Sequence, residues 1–256
     1  MTVHMERDAA KAAATSGAPE TPNVGVILGS YGDLSATSRI YRQGCFEISD
    51  ADQKSISSVQ ALAKRVMDIV GAILALVIVL PILPIIAVAV KLDSSGPVLY
   101  KQKRVGRRGE VFTLYKFRTM IERADSLLET LLPMNERTGL LFKMTNDPRT
   151  TRIGKYLRRY SLDELPQLWN VIKGEMSLVG PRPPVIGEYE KYEGDYFRRL
   201  EVLPGITGLW QVHARRDPSA ETYLALDLKY IDNWNLWLDL RILLQTIVVA
   251  AAGTGQ

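Results

Sequence analysis

The stretch IVGAILALVIVLPILPIIAVAV, residues 69–90, runs for 22 residues without a charged side chain. A run of this length can cross a bilayer as a helix. The alternative is a core helix of a soluble domain, but such a helix is rarely apolar on every face in a chain of this size. We therefore expect a membrane segment.

Two prolines in this run, Pro81 and Pro84, argue against a straight span. Each removes a backbone donor and clashes with the preceding turn, so the pair predicts a sharp break. Both flanks of the run are basic, with Lys64 and Arg65 before it and Lys91, Lys101, Lys103, Arg104, Arg107 and Arg108 after it. Since positive residues stay on the cytoplasmic side, a helix–break–helix that enters and leaves by one face satisfies both flanks. The prediction is a re-entrant helix over residues 61–92.

The rest of the chain divides by composition. Residues 1–60 are polar and predict a flexible extension without a secretory signal. Residues 93–240 predict a helix-rich α/β (α+β) domain, and residues 241–256 an apolar C-terminal helix. That last helix either lies at a membrane interface or packs against the domain. Strands are predicted at 98–102 and 111–117 around a turn at 106–109, and helices at 121–132, 153–160, 165–173, 189–200 and 220–233.

Composition narrows the classes of protein. Of the 256 residues, 46% are hydrophobic and 23% charged, which is typical of a globular chain. The single cysteine, Cys45, excludes an intramolecular disulfide and a cysteine-rich zinc site. The formal charge is only +4, yet residues 101–118 hold seven Lys or Arg against one Glu. Such a patch suits nucleic acid, anionic lipid or a nucleotide diphosphate.

An adjacent acidic pair, Asp163 and Glu164, lies in SLDELPQ, residues 161–167, among many basic residues. Nearby cations favour the ionised form of a carboxyl group, and an ionised carboxylate can be a nucleophile or a metal ligand. Ser161 and Glu164 also match a helix capping box, which the pair taken alone favours. Adjacent residues near a helix start point about 100° apart, so one carboxylate can meet substrate while the other binds a cation such as Mg²⁺.

Three further segments suit a phosphate-rich substrate. Arg182 lies in GPRPP, residues 180–184, where prolines limit the positions of the guanidinium; a rigid surface turn is the alternative. Lys116 and Arg118 alternate at the end of a strand and share a face, with solvated charge as the alternative. Trp210 follows the glycine-punctuated loop PGITG, residues 204–208, and predicts an exposed aromatic that stacks on a base or sugar or lies on a bilayer.

Taken in order, these segments resemble the bacterial sugar transferases, the monotopic phosphoglycosyl transferases that prime surface-glycan synthesis. The resemblance covers about residues 62–250. It rests on five motifs: Lys64-Arg65-x-x-Asp68 before the proline-broken run, YKFRTM at 115–120, LDELPQ at 162–167, GPRP at 180–183 and PGITG at 204–208. The family fold implies a cytosol-facing α/β domain with a re-entrant membrane helix and interfacial amphipathic helices. It also implies the bacterial inner (cytoplasmic) membrane as location, with the catalytic domain on the cytoplasmic face.

The resemblance further implies a reaction. Sugar-1-phosphate passes from a UDP-sugar to polyprenyl (undecaprenyl) phosphate with release of UMP, through a covalent phosphoglycosyl-enzyme, as the initiating step of exopolysaccharide, capsule, O-antigen or glycoprotein glycan synthesis. By the family pattern Asp163 is the nucleophile and Glu164 holds Mg²⁺, while Asp68 is structural. The implied substrate-binding residues are basic: Lys116, Arg118, Arg158, Arg182 and Arg215.

The chain departs from the family pattern in two places. VHAR at 212–215 stands where relatives usually have Asn-Gly-Arg or Ser-Gly-Arg, and the polar extension makes the chain similar to the short, catalytic-core form. Two other classes remain open: a peripheral, non-catalytic lipid-binding protein, and a glycosyltransferase that releases UDP. A nucleic-acid partner is disfavoured, because the basic patch would lie beside a membrane anchor. A homo-oligomer is compatible with the sequence.

Overall fold

The computed structural model describes residues 57–136, 142, 144, 146–215, 217 and 219–253. The predicted extension over residues 1–60 therefore lies outside the described residues, except for its last four. The described residues form a helix-rich α/β fold with two small sheets.

The apolar run forms two helices, α1 (Ser58–Val79) and α2 (Leu83–Asp93), bent by 65°. Pro81 lies in the break, and Pro84 lies in the first turn of α2, where a missing N–H is tolerated. The predicted break is confirmed. No single helix among the described residues is long and apolar enough to cross a bilayer, whereas the bent pair meets that test jointly by length and composition.

The bent pair buries only one side of its apolar surface. Ala72, Ile86 and Val90 are buried against the domain. Many other apolar side chains of the pair are exposed, among them Val66, Val70, Leu74, Val77, Ile78, Ile85 and Val88. A core helix would bury most of these side chains, so the structure does not support the core-helix alternative.

The sheets are short. The strands β1 (Leu99–Val105) and β2 (Val111–Phe117) pair antiparallel, with Leu99 opposite Phe117 and Val105 opposite Val111. Both predicted strands are confirmed, although β1 runs three residues further than expected. The strands β3 (Ser177–Val179) and β4 (Gly205–Thr207) pair in parallel, where the sequence predicted only a loop around PGITG.

Seven further helices follow in the described part of the chain: α3 (Leu128–Leu131), α4 (Arg152–Arg159), α5 (Gln167–Lys173), α6 (Ile186–Tyr189), α7 (Leu209–His213), α8 (Ala220–Asp232) and α9 (Leu236–Ala251). Three predicted helices are confirmed to within two residues, as α4, α5 and α8. As expected, α5 ends at Gly174, whose φ of 86° is the left-handed conformation that glycine adopts most readily.

Two predicted helices are wrong. The segment 121–132 is divided into a 3₁₀ turn at Ala124–Leu127 and the four-residue α3, because Arg123 adopts a left-handed φ of 60° just before it. In the segment 189–200, only Tyr189 belongs to an α-helix, α6, and a 3₁₀ helix follows at Gly194–Leu200, whose first residue, Gly194, has a φ of 51°. A left-handed residue cannot continue a right-handed helix.

One core joins most of the elements. Its buried residues come from α1, β2, α5, β3 with the residue before it, α7, α8 and α9: Ala72, Phe112, Leu114, Leu168, Val171, Met176, Leu178, Val179, Leu209, Tyr230 and Ile242. A second cluster of Ile86, Val90, Phe117 and Leu157 packs α2 against β2 and α4. The two clusters hold the bent helix pair against the domain.

The C-terminal helix α9 has two different faces. Ile242 is fully buried in the core, which confirms packing against the domain. On the other face Trp237, Leu244, Ile247 and Val248 are exposed. The helix begins at Leu236, five residues before the predicted start of the C-terminal segment.

The basic residues at the start of α1 are used within the protein. Lys64 Nζ pairs with Asp68 Oδ1 at 3.1 Å and with Asp239 Oδ2 at 2.8 Å. Arg65 donates to the carbonyl oxygens of Val171 and Ile172, at 2.8 and 3.0 Å, where α5 ends. The predicted structural role of Asp68 agrees with these contacts. These contacts within the protein account for Lys64 and Arg65. The two charges are therefore weaker evidence that the start of α1 is the cytoplasmic flank of a membrane segment.

Candidate active site

The acidic pair occupies a 3₁₀ turn, Leu162–Glu164, between α4 and α5. Ser161 opens the turn with a left-handed φ of 57°, and its side chain makes no capping bond. Its hydroxyl instead accepts a hydrogen bond from Arg215 Nη1 at 3.0 Å. The capping-box interpretation is therefore wrong. Asp163 is buried and Glu164 is partly exposed.

Four of the five predicted substrate-binding cations converge on this turn. Lys116, on β2, forms an ion pair with Glu164 Oε1 at 2.8 Å. Arg158, on α4, acts electrostatically on Asp163, while Arg182 and Arg215 act on Glu164. Four segments that are far apart in sequence thus surround the two carboxylates with positive charge. Such a site suits a diphosphate, whose charge needs several cations.

The two carboxylates differ in acidity. Burial raises the pKa of Asp163, and the neighbouring Glu164 adds to the rise, with Lys116 and Arg158 opposing it. Burial acts on Glu164 as well, but Lys116, Arg182 and Arg215 more than offset it and hold the pKa of Glu164 below its usual value. The expectation that cations dominate both carboxyl groups is therefore wrong for Asp163, because burial outweighs them. Burial thus favours the neutral form of Asp163, whereas the surrounding cations favour the charged form of Glu164.

Arg118 does not join the site. It is buried, and its guanidinium donates to the carbonyl oxygens of Val90, Ser94 and Pro97 at 3.2, 2.6 and 2.5 Å. These carbonyls lie at the C-terminal end of α2 and just beyond it, where helix carbonyls lack partners in the helix. The structure thus gives Arg118 a structural role in place of the predicted substrate contact.

The predicted basic patch at 101–118 is also divided. Lys101, Lys103, Arg107 and Arg108 are exposed, but Arg104 is buried with Arg118, and Lys116 turns to the dyad. The exposed basic patch therefore contains only four of the seven Lys and Arg residues at 101–118. Its buried members serve the fold and the site.

Two hydroxyl groups whose role was not expected from the sequence orient the site cations. Thr119 Oγ1 accepts from Arg158 Nε at 2.9 Å, and Ser161 accepts from Arg215 as described above. Gly154 allows this packing, because a Cβ there would come within 2.1 Å of the Thr119 carbonyl oxygen. Thr119 lies in the YKFRTM motif, so its place beside Lys116 could have indicated a role at the site. Nothing in the sequence around Gly154 indicates that it must be a glycine.

The aromatic loop differs from expectation. Trp210 is buried, and its ring packs edge-to-face on Tyr223 with centroids 4.8 Å apart. The predicted exposed aromatic is therefore wrong, because α7 turns this side chain into the domain. His213 at the end of α7 is exposed and lies beside a cavity of about 320 Å³ between α7, α8 and α9.

The dyad has donors that suit a hard metal ion. Among the described residues there is no group of three or more His, Cys, Asp or Glu side chains placed to hold a metal. The dyad offers two carboxylates, and Lys116 engages one oxygen of Glu164. Magnesium sites of one or two carboxylates completed by substrate phosphates are common in phosphoryl-transfer enzymes. The residues present therefore fit Mg²⁺ only together with a diphosphate substrate.

Comparison with known proteins extends these observations. Residues 59–253 match the family model described as bacterial sugar transferase. The chain is similar to galactosyl transferase CpsE of Streptococcus agalactiae serotype III (strain NEM316), at 48% identity over 76% of this chain and 43% of the relative. It is similar to exopolysaccharide production protein ExoY of Rhizobium meliloti (strain 1021), at 42% identity over 79% of this chain and 91% of the relative.

A third relative has the most explicit name. This is the UDP-glucose:undecaprenyl-phosphate glucose-1-phosphate transferase of Escherichia coli (strain K12), 41% identical over 75% of this chain and 41% of the relative. The chain thus spans about two fifths of the length of the Escherichia coli transferase and of CpsE, and about nine tenths of the length of ExoY. The matched region contains the bent helix pair, the acidic dyad and its cations, and the chain belongs to the bacterial sugar transferase family.

Proposed function

We propose that this protein transfers sugar-1-phosphate from a UDP-sugar to a polyprenyl phosphate and releases UMP. The observation that carries the proposal is the buried Asp163 beside Glu164, with Lys116, Arg158, Arg182 and Arg215 around them. The name of the Escherichia coli relative, a glucose-1-phosphate transferase to undecaprenyl phosphate, supports the same reaction class. The initiation of a surface glycan is the biological step to which this chemistry belongs.

The reaction proceeds in two displacements at one phosphorus atom. A carboxylate oxygen of Asp163 attacks the β-phosphorus of the UDP-sugar, and the bond from that phosphorus to the bridging oxygen breaks. UMP leaves with the bonding electron pair, and the sugar phosphate stays on Asp163 as an acyl phosphate. A phosphate oxygen of the polyprenyl phosphate then attacks the same phosphorus, forms the lipid diphosphate sugar and releases the Asp163 carboxylate.

The cations around the dyad make this attack feasible. A carboxylate that approaches a diphosphate meets strong repulsion, which positive side chains offset where the charge develops. Arg182 and Arg158 suit bidentate contacts with phosphate oxygens, and Lys116 supplies a point charge next to Glu164. Glu164, ionised at neutral pH, is the proposed Mg²⁺ ligand. When bound, Mg²⁺ would neutralise charge on the diphosphate.

The covalent route suits a soluble donor and a lipid acceptor. One partner comes from water and the other from the bilayer, so an enzyme-bound intermediate removes the need to hold both at once. The apolar side chains exposed on α1, α2 and α9 support membrane contact by the domain that carries the dyad. We assign α1 and α2 to a re-entrant anchor with both ends on the cytoplasmic face.

Nucleotide analysis tests the reaction. Purified protein in detergent, given a panel of UDP-sugars, Mg²⁺ and polyprenyl phosphate, should release UMP. Without acceptor, the intact mass should rise by one sugar phosphate, on a peptide containing Asp163. Asp163→Asn should lose both signals, while Asp125→Asn, at an exposed site away from the dyad, should keep them. Release of UDP would indicate the glycosyltransferase alternative, and release of no nucleotide would favour the lipid-binding alternative.

Cysteine labelling tests the anchor. Since Cys45 is the only native cysteine, a Cys45→Ser background allows single probes at either end of the helix pair. Leu62→Cys and Ser95→Cys should both react with a membrane-impermeant maleimide only from the cytoplasmic side. Labelling of the two positions from opposite sides would show a bent span and refute the re-entrant assignment.

A further inference from the structure

The loop that carries Arg182 is held through its carbonyl oxygens. Four consecutive carbonyls, at residues 181–184, each accept a hydrogen bond from another element. Pro181 O accepts from Gly205 N at 2.8 Å, and Pro184 O accepts from Val105 N at 3.0 Å. Between them, Pro183 O accepts from Arg104 Nη1 at 2.8 Å and Arg182 O accepts from Arg199 Nη2 at 2.9 Å.

The sequence of this loop explains why its donors come from elsewhere. Three of its four residues are prolines, which have no backbone N–H. The loop therefore cannot supply the backbone hydrogen bonds of a strand or a helix by itself. A buried carbonyl without a donor is costly. The backbone of Arg182 is therefore placed by the side chains and strands that reach the loop.

Arg199 is the member of this set that reaches Arg182 itself, and it is buried in a polar cluster. Its Nε donates to Asp227 Oδ2 at 2.9 Å, and its other nitrogens donate to the hydroxyl groups of Tyr192 and Tyr223. Arg199 is only 3% exposed and Asp227 only 1% exposed. A planar guanidinium with all its partners in place is a rigid support, because moving it would leave several buried groups unpaired.

We propose that Arg199 is a positioning residue, which sets the Arg182 guanidinium at the diphosphate by holding the Arg182 carbonyl oxygen. The proposal rests on the proposed function, in which Arg182 contacts the donor. Arg199 touches no substrate in this scheme. It acts through one hydrogen bond to the residue that does, and Asp227, Tyr192 and Tyr223 keep it in place.

The neighbouring Arg198 provides a matched control. It is the same residue type, one position earlier on the same 3₁₀ helix, yet it is partly exposed and pairs with Asp232 and Glu201. Arg198→Lys changes the same chemical group without touching the loop. Arg199→Lys keeps a positive charge beside Asp227. It loses the planar guanidinium, which donates to Asp227 and to the Arg182 carbonyl oxygen at the same time.

The experiment is a double-mutant cycle on kcat/KM for the UDP-sugar, measured as UMP release in Mg²⁺ and polyprenyl phosphate. Arg199→Lys should lower kcat/KM by about 100-fold, the scale expected when a substrate-binding group shifts by about 1 Å. In an Arg182→Ala background the same change should cost less than about threefold, because the group to be positioned is gone. Arg198→Lys should stay within about twofold of the parent in both backgrounds.

Two outcomes would overturn the proposed positioning role of Arg199. The first is an equal loss of kcat/KM from Arg199→Lys with and without the Arg182 side chain, and the second is a normal rate for Arg182→Ala. If Arg199→Lys does not fold, Tyr223→Phe removes one hydroxyl partner of Arg199 and should show the same coupling in milder form. Asp163→Asn in the same assay separates the two proposals: normal turnover there refutes the proposed function, whereas its loss alongside additive arginine effects refutes only the positioning role.

Discussion

One buried carboxylate, Asp68, contributes to the docking of α1 on the domain, and its replacement should lower the free energy of unfolding. Asp68 Oδ1 accepts from Lys64 Nζ at 3.1 Å, from Ser177 Oγ at 3.0 Å and from the backbone N–H of Leu178 at 3.0 Å. The residue is only 1% exposed. Asp68→Ala removes an acceptor that three donors share.

The size of the effect follows from what each donor keeps. Lys64 retains Asp239, and the Ser177 hydroxyl retains the carbonyl oxygen of Val179 at 2.8 Å. The Leu178 N–H loses an acceptor in a buried position, a cost of about 1–3 kcal/mol. The hydrogen bonds that Lys64 and Ser177 donate to the carboxylate are lost as well, so we expect Asp68→Ala to lower the free energy of unfolding by about 3–5 kcal/mol.

A milder variant isolates the charge. Asp68→Asn keeps an oxygen that can accept from Leu178 and should lose only about 1–2 kcal/mol. Asp232→Ala, which removes a carboxylate that pairs with Arg198 at the surface, should change stability by less than about 1 kcal/mol.

The assay is urea unfolding in detergent followed by tryptophan fluorescence. Trp234 is a suitable probe because its Nε1 donates to Asp239 Oδ2 at 3.1 Å, in the same buried network. Equal midpoints for Asp68→Ala and Asp232→Ala, with unchanged slopes, would refute the reasoning. The network would then contribute no more than a surface ion pair.

Four further predictions address the site and its supports. Arg118→Met should cost about 3 kcal/mol in unfolding free energy, because three carbonyls lose their donor, but should leave the KM for the UDP-sugar unchanged; a raised KM at normal stability would restore its substrate role. Gly154→Ala should destabilise by about 2–3 kcal/mol, since its Cβ would overlap the Thr119 carbonyl, and an unaltered melting temperature would contradict this packing. Burial raises the pKa of Asp227 from 3.8 to about 6, so its contribution to stability is present below about pH 4 and is lost as the pH rises through 6. Between pH 4 and 7 the parent should therefore lose about 3 kcal/mol relative to Asp227→Asn, and parallel stability curves would disprove the shift. Removal of divalent ions with EDTA should abolish UMP release and Mg²⁺ should restore it; full activity in EDTA would exclude the proposed metal.

Local signals predicted much of the framework. The break at Pro81, the end of α5 at Gly174 and the two strands around residues 106–110 all follow from the backbone preferences of a few neighbouring residues. The helices that failed, at 121–132 and 189–200, failed where one residue takes a left-handed φ that periodicity does not reveal. Short, contiguous family motifs contain the acidic dyad and two of its four cations, Lys116 and Arg182, whereas Arg158 and Arg215 lie outside the five motifs.

Burial and partner choice were not predictable in the same way. Lys116 and Arg118 are two residues apart, and the sequence predicted the same substrate-binding role for both. In the structure Lys116 pairs with Glu164, whereas Arg118 donates to carbonyl oxygens at the end of α2. Arg198 and Arg199 are adjacent, yet one is at the surface and the other holds the Arg182 loop. In each case the decisive contacts come from residues 17 to 48 positions away in the sequence.

The sequence by itself determined the apolar run, its break and the order of motifs that identify the family, since these depend on neighbouring residues. Only the tertiary structure decided which carboxylate is buried, which arginines face it and which ones hold the backbone. The physical reason is that the charge state and freedom of a polar side chain depend on desolvation and on its partners. Both are properties of the packed fold, in which β2, α4, the Arg182 loop and the end of α7 meet at one turn.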